Sequence, residues 1–178
     1  MSIKSVAVFC GSGEGNHQLF ATHARQLGKS IAEKKITLIY GGGNSGLMGI
    51  LANEVMANAG TVIGIIPRLL TEWERKHTKI SELHEVADMH TRKRMFYEKC
   101  DAAVILPGGY GTMDEFFEIL TWNQLKIHDK PIIVVNTAGF YDHLLKHLEV
   151  MKEAEFLHTP LKTEMVVVNS PAEIGFLQ

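Results

Sequence analysis

The stretch that decides the fold is AAVILPGGYGT, residues 102–112. Its first five residues are all apolar, which is typical of a strand that helices cover on both faces of a sheet. Pro107 and Gly108 end this strand, and residues 112–125 have the spacing of a helix. A buried strand that passes through glycines into a helix is one unit of a parallel α/β sheet.

The same alternation of strand and helix extends through the rest of the chain. We expect strands at residues 5–10, 37–40, 61–66, 82–87, 102–106, 131–135 and 165–168, and helices at 16–33, 47–57, 91–98, 112–125 and 141–152. Residues 68–79 are polar and irregular, which predicts a mobile flap over a site. The sequence therefore predicts an α/β fold, a doubly wound and mainly parallel sheet flanked by helices on both faces, as a single domain over residues 1–178.

Composition excludes several classes of function. The 178 residues are 46% hydrophobic and 21% charged, as in an average globular domain. The net charge of -2 gives no basic field, so neither a nucleic acid nor a membrane is expected as a partner. No long apolar segment precedes the first strand, which predicts a cytoplasmic protein. Cys10 and Cys100 form no metal or redox motif and are expected in the core.

Three glycine-rich turns, at residues 11–15, 41–46 and 108–111, each follow a predicted strand. Ligands of doubly wound sheets bind at such strand ends. The third turn is the best phosphate candidate, because it leads into a helix whose free amides and positive dipole end suit an anion. The alternative is a tight turn followed by a capping box from Thr112 to Glu115.

The second turn, GGGNSG at residues 41–46, matches the G-x-G-x-x-G pattern of dinucleotide-binding proteins. The acidic residue expected about twenty positions later is missing, since the next strand ends in Ile66-Pro67-Arg68. No Gly-Lys-Ser/Thr follows any glycine turn, which disfavours a P-loop. These patterns leave the binding of a nicotinamide dinucleotide as a minor alternative.

Residues 107–115, PGGYGTMDE, resemble the PGGxGTxxE signature of the LOG family, the cytokinin riboside 5′-monophosphate phosphoribohydrolases. Residues 41–43 with 46–49, and residues 89–93, resemble the two other motifs of that family. The resemblance implies a Rossmann-like homodimer or larger homo-oligomer. It further implies hydrolysis of a purine nucleoside 5′-monophosphate, either AMP or N6-substituted AMP, to free base and ribose 5-phosphate without a cofactor.

By motif position the resemblance makes Arg92 and Glu115 the catalytic residues. The implied substrate and phosphate contacts are Glu74, Lys93, Gly42, Gly43, Gly109, Tyr110, Gly111, Thr112, Met113, Asp114 and Thr121, with Glu72 as a second possible register for Glu74. The alternative is a non-catalytic carrier of a nucleotide or of the molybdenum cofactor. The Arg92–Glu115 pair favours an enzyme. Lysine decarboxylation, a label that some family members carry, is disfavoured because it needs an electron sink such as pyridoxal phosphate.

Overall fold

The computed structural model describes residues 2–72, 75–157 and 159–178. The strands are β1 Ser5–Phe9, β2 Thr37–Tyr40, β3 Val62–Pro67, β4 Glu82–Val86, β5 Ala102–Ile105, β6 Ile132–Val135 and β7 Met165–Val168. The helices are α1 Gln18–Glu33, α2 Gly46–Ala57, α3 Met89–Lys99, α4 Tyr110–Gln124 and α5 Asp142–Glu153, with short 3₁₀ helices at Arg68–Glu72, Thr137–Gly139, Pro171–Glu173 and Gly175–Leu177. Each predicted strand and helix is present, with its ends within about two residues of the expected positions.

The seven strands form one sheet in the order β4-β3-β2-β1-β5-β6-β7. All of the pairings between neighbouring strands are parallel. The chain builds outward from β1 to β4, then returns beside β1 and builds the other half from β5 to β7. The doubly wound prediction is confirmed. The order reverses between β1 and β5, and the crevice beyond such a reversal is where these folds bind ligands.

Two apolar layers enclose the sheet. Helices α1 and α2 cover one side, where Leu27 and Leu51 are fully buried. Helices α3, α4 and α5 pack on the other side around Phe96 and Phe116. All four residues of β5 are buried, as its continuous apolar run predicts for a strand with helices on both faces. No helix within the described ranges is long and apolar enough to cross a membrane.

The predicted mobile flap is wrong for residues 75–79, which we call the strap. Lys76 forms an isolated antiparallel bridge with Gly43 of the second glycine turn. The backbone N–H of His77 donates to Gly42 at 2.9 Å, and the buried His77 ring lies 3.1 Å from the amide oxygen of Asn53. These contacts anchor the strap to the second glycine turn and to α2, a restraint that polar composition alone could not reveal.

Candidate active site

The three glycine turns meet at the point where the strand order reverses. The N–H of Gly11 donates to the carbonyl of Pro107 at 3.0 Å. The N–H groups of Leu47 and Met48, at the start of α2, donate to carbonyls of Gly13 and Gly11, each at 3.3 Å. The first turn therefore occupies the N-terminal amides of α2, which a dinucleotide phosphate would need. The start of α2 that follows the second turn therefore packs against the first turn, and contact between the second turn and a ligand stays a prediction.

Close packing explains the glycines at the junction of the turns. A Cβ added at Gly46, whose φ is +56°, would lie 2.3 Å from backbone atoms of Ser12. A Cβ at Gly108 would lie 2.1 Å from the hydroxyl oxygen of Thr112 and 2.9 Å from the amide nitrogen of Gly11. Side chains at these positions would force the turns apart.

The third turn is open on its outer side. A Cβ added at Gly109 or Gly111 would meet no atom within 4 Å, and the Tyr110 side chain is 98% exposed. The first amides of an α-helix have no partner within the helix, and in this turn the backbone bonds begin with Met113 N–H to Gly109 at 3.0 Å. Open amides at the positive end of α4 form a surface that suits a phosphate.

The capping-box interpretation of this turn is wrong. The N-cap residue of α4 is Gly109, and no side chain caps the helix. Thr112 lies inside the first turn and is 3% exposed. Because the helix begins two residues earlier than predicted, Glu115 is not in register to cap it and instead contacts Arg92.

Arg92 and Glu115 form a buried ion pair beside the open turn. Asp88 starts α3 by accepting the Thr91 N–H at 2.7 Å, and this hydrogen bond lowers the pKa of the Asp88 carboxyl. One turn later the Arg92 guanidinium reaches α4, with Nη2 3.3 Å from Oε1 of Glu115. The two side chains are only 8% and 10% exposed. The site therefore holds a guanidinium and a carboxylate largely shielded from water.

One N–H group of the Arg92 guanidinium makes no hydrogen bond within the described residues. Its Nε is buried and has no hydrogen-bond partner among the described residues. Nη1 faces the sulfur of Met89 at 3.9 Å, and the guanidinium carbon lies 5.5 Å from the centre of the Phe96 ring. Buried donors are nearly always satisfied in folded proteins, so an unused one beside an open turn indicates a place for an acceptor from a ligand.

Lys93 connects α3 to the second and third turns of α4. Its ammonium lies 2.9 Å from Asp114 and 3.5 Å from Glu118. Burial alone would lower the pKa of Lys93, but the hydrogen bond to Asp114 and the charge of Glu118 outweigh burial and raise it. Burial raises the pKa of Glu118, and the charge of Lys93 opposes this only in part. A substrate phosphate would compete with two carboxylates for Lys93.

The remaining predicted contacts have mixed surroundings. Gly42 and Gly43 are buried, and Gly42, with a φ of +78°, packs against Ile66. The Thr121 hydroxyl is exposed and donates to the carbonyl of Phe117 at 2.7 Å. Met113 packs against the apolar layer beneath α3, α4 and α5. Glu74 lies outside the described residues. Contact between these residues and a substrate stays a prediction.

An apolar cleft between α3 and α4 adjoins the ion pairs. Its walls include Phe9, Phe96, Tyr97, Cys100, Ile119 and Trp122, and Lys93, Glu115 and Glu118 also line it. Sequence reasoning did not identify this cleft, because it depends on the separation of two helices that meet only in the fold.

Burial, reinforced by the charge of Glu115, raises the pKa of Cys10 far above that of a free thiol, so Cys10 is not an activated nucleophile.

The comparisons with known proteins agree with the motifs. A family model described as "Possible lysine decarboxylase" matches residues 48–175. The probable cytokinin riboside 5′-monophosphate phosphoribohydrolase LOG6 of Arabidopsis thaliana is 45% identical over 86% of this chain and 77% of its own length. The cytokinin riboside 5′-monophosphate phosphoribohydrolase of Rhodococcoides fascians is 43% identical over 93% of this chain and 83% of its own length.

A solved structure shares the fold at lower identity. The molybdenum cofactor binding protein of Rippkaea orientalis superposes with a TM-score of 0.70 and 22% identity, covering 97% of this chain and 93% of its own. At this identity the similarity concerns the fold alone. The buried Arg92–Glu115 pair and the open PGGYGT turn agree with these comparisons. The description as a possible lysine decarboxylase is also attached to the LOG family. Because its relatives are more than 40% identical over most of its length, the chain belongs to the LOG family.

Proposed function

We propose that this protein hydrolyses the N-glycosidic bond of a purine nucleoside 5′-monophosphate and releases the free base and ribose 5-phosphate. The observation that carries the proposal is the buried Arg92–Glu115 pair beside the open N-terminal turn of α4. A carrier needs to bind a phosphate but needs no carboxylate held beside it. The names of the curated relatives support the same reaction.

In the proposed mechanism, the bond between the base nitrogen and C1′ breaks as positive charge develops on the ribose. The Glu115 carboxylate stabilises this charge and orients the water whose oxygen bonds to C1′. One proton from that water ends on the departing base, which leaves with the electron pair of the broken bond. Arg92 holds Glu115 in place and offers its free Nε–H to the substrate, while the amides of residues 109–112 bind the phosphate.

A substrate panel tests the reaction. We expect free base from AMP or from N6-isopentenyl-AMP, detected by chromatography, and little or none from the matching nucleosides, which lack the phosphate that the α4 turn would bind. GMP and CMP complete the panel and define the base preference. If no purine monophosphate releases its base, the proposed reaction is wrong and the carrier alternative is favoured.

We further propose that the protein forms a homodimer or larger homo-oligomer in the cytoplasm. Among the described residues α5 has no fully buried side chain, and Phe117, Val150 and Phe156 are large apolar residues that are 37%, 50% and 73% exposed. A second copy would remove such residues from water. We expect light scattering at micromolar concentration to give at least twice the 19.8 kDa mass of one chain. A monomer under those conditions would contradict the proposal.

A further inference from the structure

Gly41, which directly follows β2, lies against the Arg92 guanidinium. A Cβ added at Gly41 would be 2.7 Å from Nη2 of Arg92 and 2.9 Å from the sulfur of Met48. Both distances are shorter than real Cβ contacts allow. The same Nη2 is the atom that contacts Glu115. Because Gly41 has no side chain, Nη2 of Arg92 can lie against it while it contacts Glu115.

The backbone at this position does not itself demand glycine. Gly15, Gly42, Gly46 and Gly139 are the described glycines with positive φ, and Gly41 is not among them. An alanine could adopt the conformation of residue 41 without strain. The atoms that it would displace are the ends of flexible side chains, so the fold can accommodate it. A methyl group at this position would therefore change the position of the Arg92 side chain and not the fold.

We infer that Gly41 is a positioning residue for Arg92, because it lets the guanidinium lie against the end of β2 at the distance from which it reaches Glu115. This inference rests on the proposed function where turnover is the measurement. Gly41 was not among the residues predicted to bind substrate, since its role depends on a contact between residues 51 positions apart.

The first test is the variant Gly41→Ala. The methyl group must push Nη2 away by several tenths of an ångström, and misplacements approaching 1 Å can cost an enzyme about 100-fold in rate. We expect kcat to fall by about 10-fold to 100-fold while the melting temperature changes little. Gly175→Ala is the control, because Gly175 lies in the C-terminal 3₁₀ helix Gly175–Leu177 and a Cβ there meets no atom within 4 Å. It should keep the parental kcat, and a parental kcat in Gly41→Ala would overturn the inference.

The second test asks whether Gly41 acts through Arg92. If it does, Gly41→Ala should change kcat less than about twofold when Arg92 is already replaced by alanine, because residues acting through one contact are not additive. Met48 is also displaced by the new methyl group, but an effect through Met48 would persist in the Arg92→Ala background. Such an additive loss would show that Gly41 does not act by positioning Arg92, and the inference would fail.

A third test is independent of turnover. In ¹⁵N-labelled protein, the buried Nε–H of Arg92 should give a side-chain resonance, assigned by its loss in Arg92→Ala. We expect Gly41→Ala to shift this resonance and Gly175→Ala to leave it in place. A shifted resonance in a protein that releases no base would sustain the inference while the proposed function fails. An unchanged resonance would reject the inference even if the enzyme is active.

Discussion

Glu115 has two chemically different neighbours at the end of the sheet. Its carboxylate contacts the Arg92 guanidinium, and its charge, second to burial, raises the pKa of the Cys10 thiol. A carboxylate that is 10% exposed would be costly to ionise alone, and the guanidinium offsets that cost. In the proposed reaction, Glu115 lies where positive charge develops on the ribose.

The variant Glu115→Gln tests this assignment. The amide keeps the size of the side chain but cannot supply the charge or accept a proton, so we expect base release to fall at least about 100-fold. Nucleotide binding, measured by calorimetry, should remain, since the α4 amides are unchanged. Glu98→Gln is the control, because Glu98 is exposed and, among the described residues, pairs at 3.9 Å with Arg94 of the same helix. Near-normal turnover of Glu115→Gln would exclude Glu115 as the catalytic carboxylate.

The site residues themselves could be predicted only in part. Resemblance identified Glu115 and the third turn through residues 107–115, and Arg92 through residues 89–93, and the fold brings Arg92 and Glu115 into contact. Spacing could not show that Lys93 is paired with Asp114 and Glu118, because this depends on how α3 and α4 lie beside each other. The role of Gly41 was hidden for the same reason.

At the scale of elements, the helix ends depart from the sequence prediction. A glycine is favoured in the left-handed position after a helix, and Gly60 is the glycine that follows α2, but Ala59 adopts that conformation, with a φ of 56°. Gly60 instead donates its N–H to Val55 at 2.9 Å, which completes the turn. Helices α1, α4 and α5 end in the same way, with Lys35, Lys126 and Glu155 at positive φ. Glycine is favoured at such positions, but the backbone hydrogen bonds at a helix end can hold other residues in the left-handed conformation.

These helix ends predict stabilising substitutions. Lys126 is exposed, has a φ of 61° and follows α4 and its C-cap residue. Lys126→Gly removes a conformational cost of about 1–2 kcal/mol and adds some chain entropy to the unfolded state. We expect a net gain of about 0.5–1 kcal/mol in the free energy of unfolding, measured with urea. Lys99→Gly, within the last turn of α3, should instead destabilise the protein by about 1 kcal/mol. Equal effects of both substitutions would contradict this account.

At the scale of the whole molecule, the sequence predicted the sheet well because its signals are periodic and local. Continuous apolar runs such as residues 102–106 mark strands buried on both faces, and glycine turns mark their ends. The strap was mispredicted because its anchor, the buried ring of His77 against Asn53, joins separate parts of the chain. Local sequence patterns therefore predict the strands and their ends, but they do not predict contacts between separate parts of the chain.

Three buried histidines make the stability of the domain depend on pH. His23, His77 and His128 are 8%, 2% and 4% exposed, and burial lowers the pKa of each. The unfolded chain, with an ordinary pKa of about 6.5, then binds protons before the folded chain does. The stabilisation is complete above that pH and is lost as the pH falls toward the lowered folded-state values. The slope cannot exceed about 1.4 kcal/mol per pH unit for each histidine.

Urea unfolding at pH 7.5 and 5.5 measures this effect. We expect a lower free energy of unfolding at pH 5.5, and a smaller difference between the two pH values in His77→Gln. His77 Nδ1 accepts the N–H of Lys79, so protonating it must break that bond. The exposed His143→Gln is the control and should keep the parental pH dependence. Equal stability at both pH values would show that the buried histidines bind protons as readily as in the unfolded chain.

The bonds that join Gly11 to Pro107 and Leu47 to Gly13 make the third turn, where we propose that phosphate binds, inseparable from the other two turns. Residues 102–115 grafted onto another parallel sheet would bring the motif but not the two loops that hold it. Engineering a similar pocket elsewhere therefore requires transplanting three distant segments in register. For the same reason, insertions that lengthen residues 11–15 should disturb a pocket whose recognisable signature lies almost a hundred residues downstream.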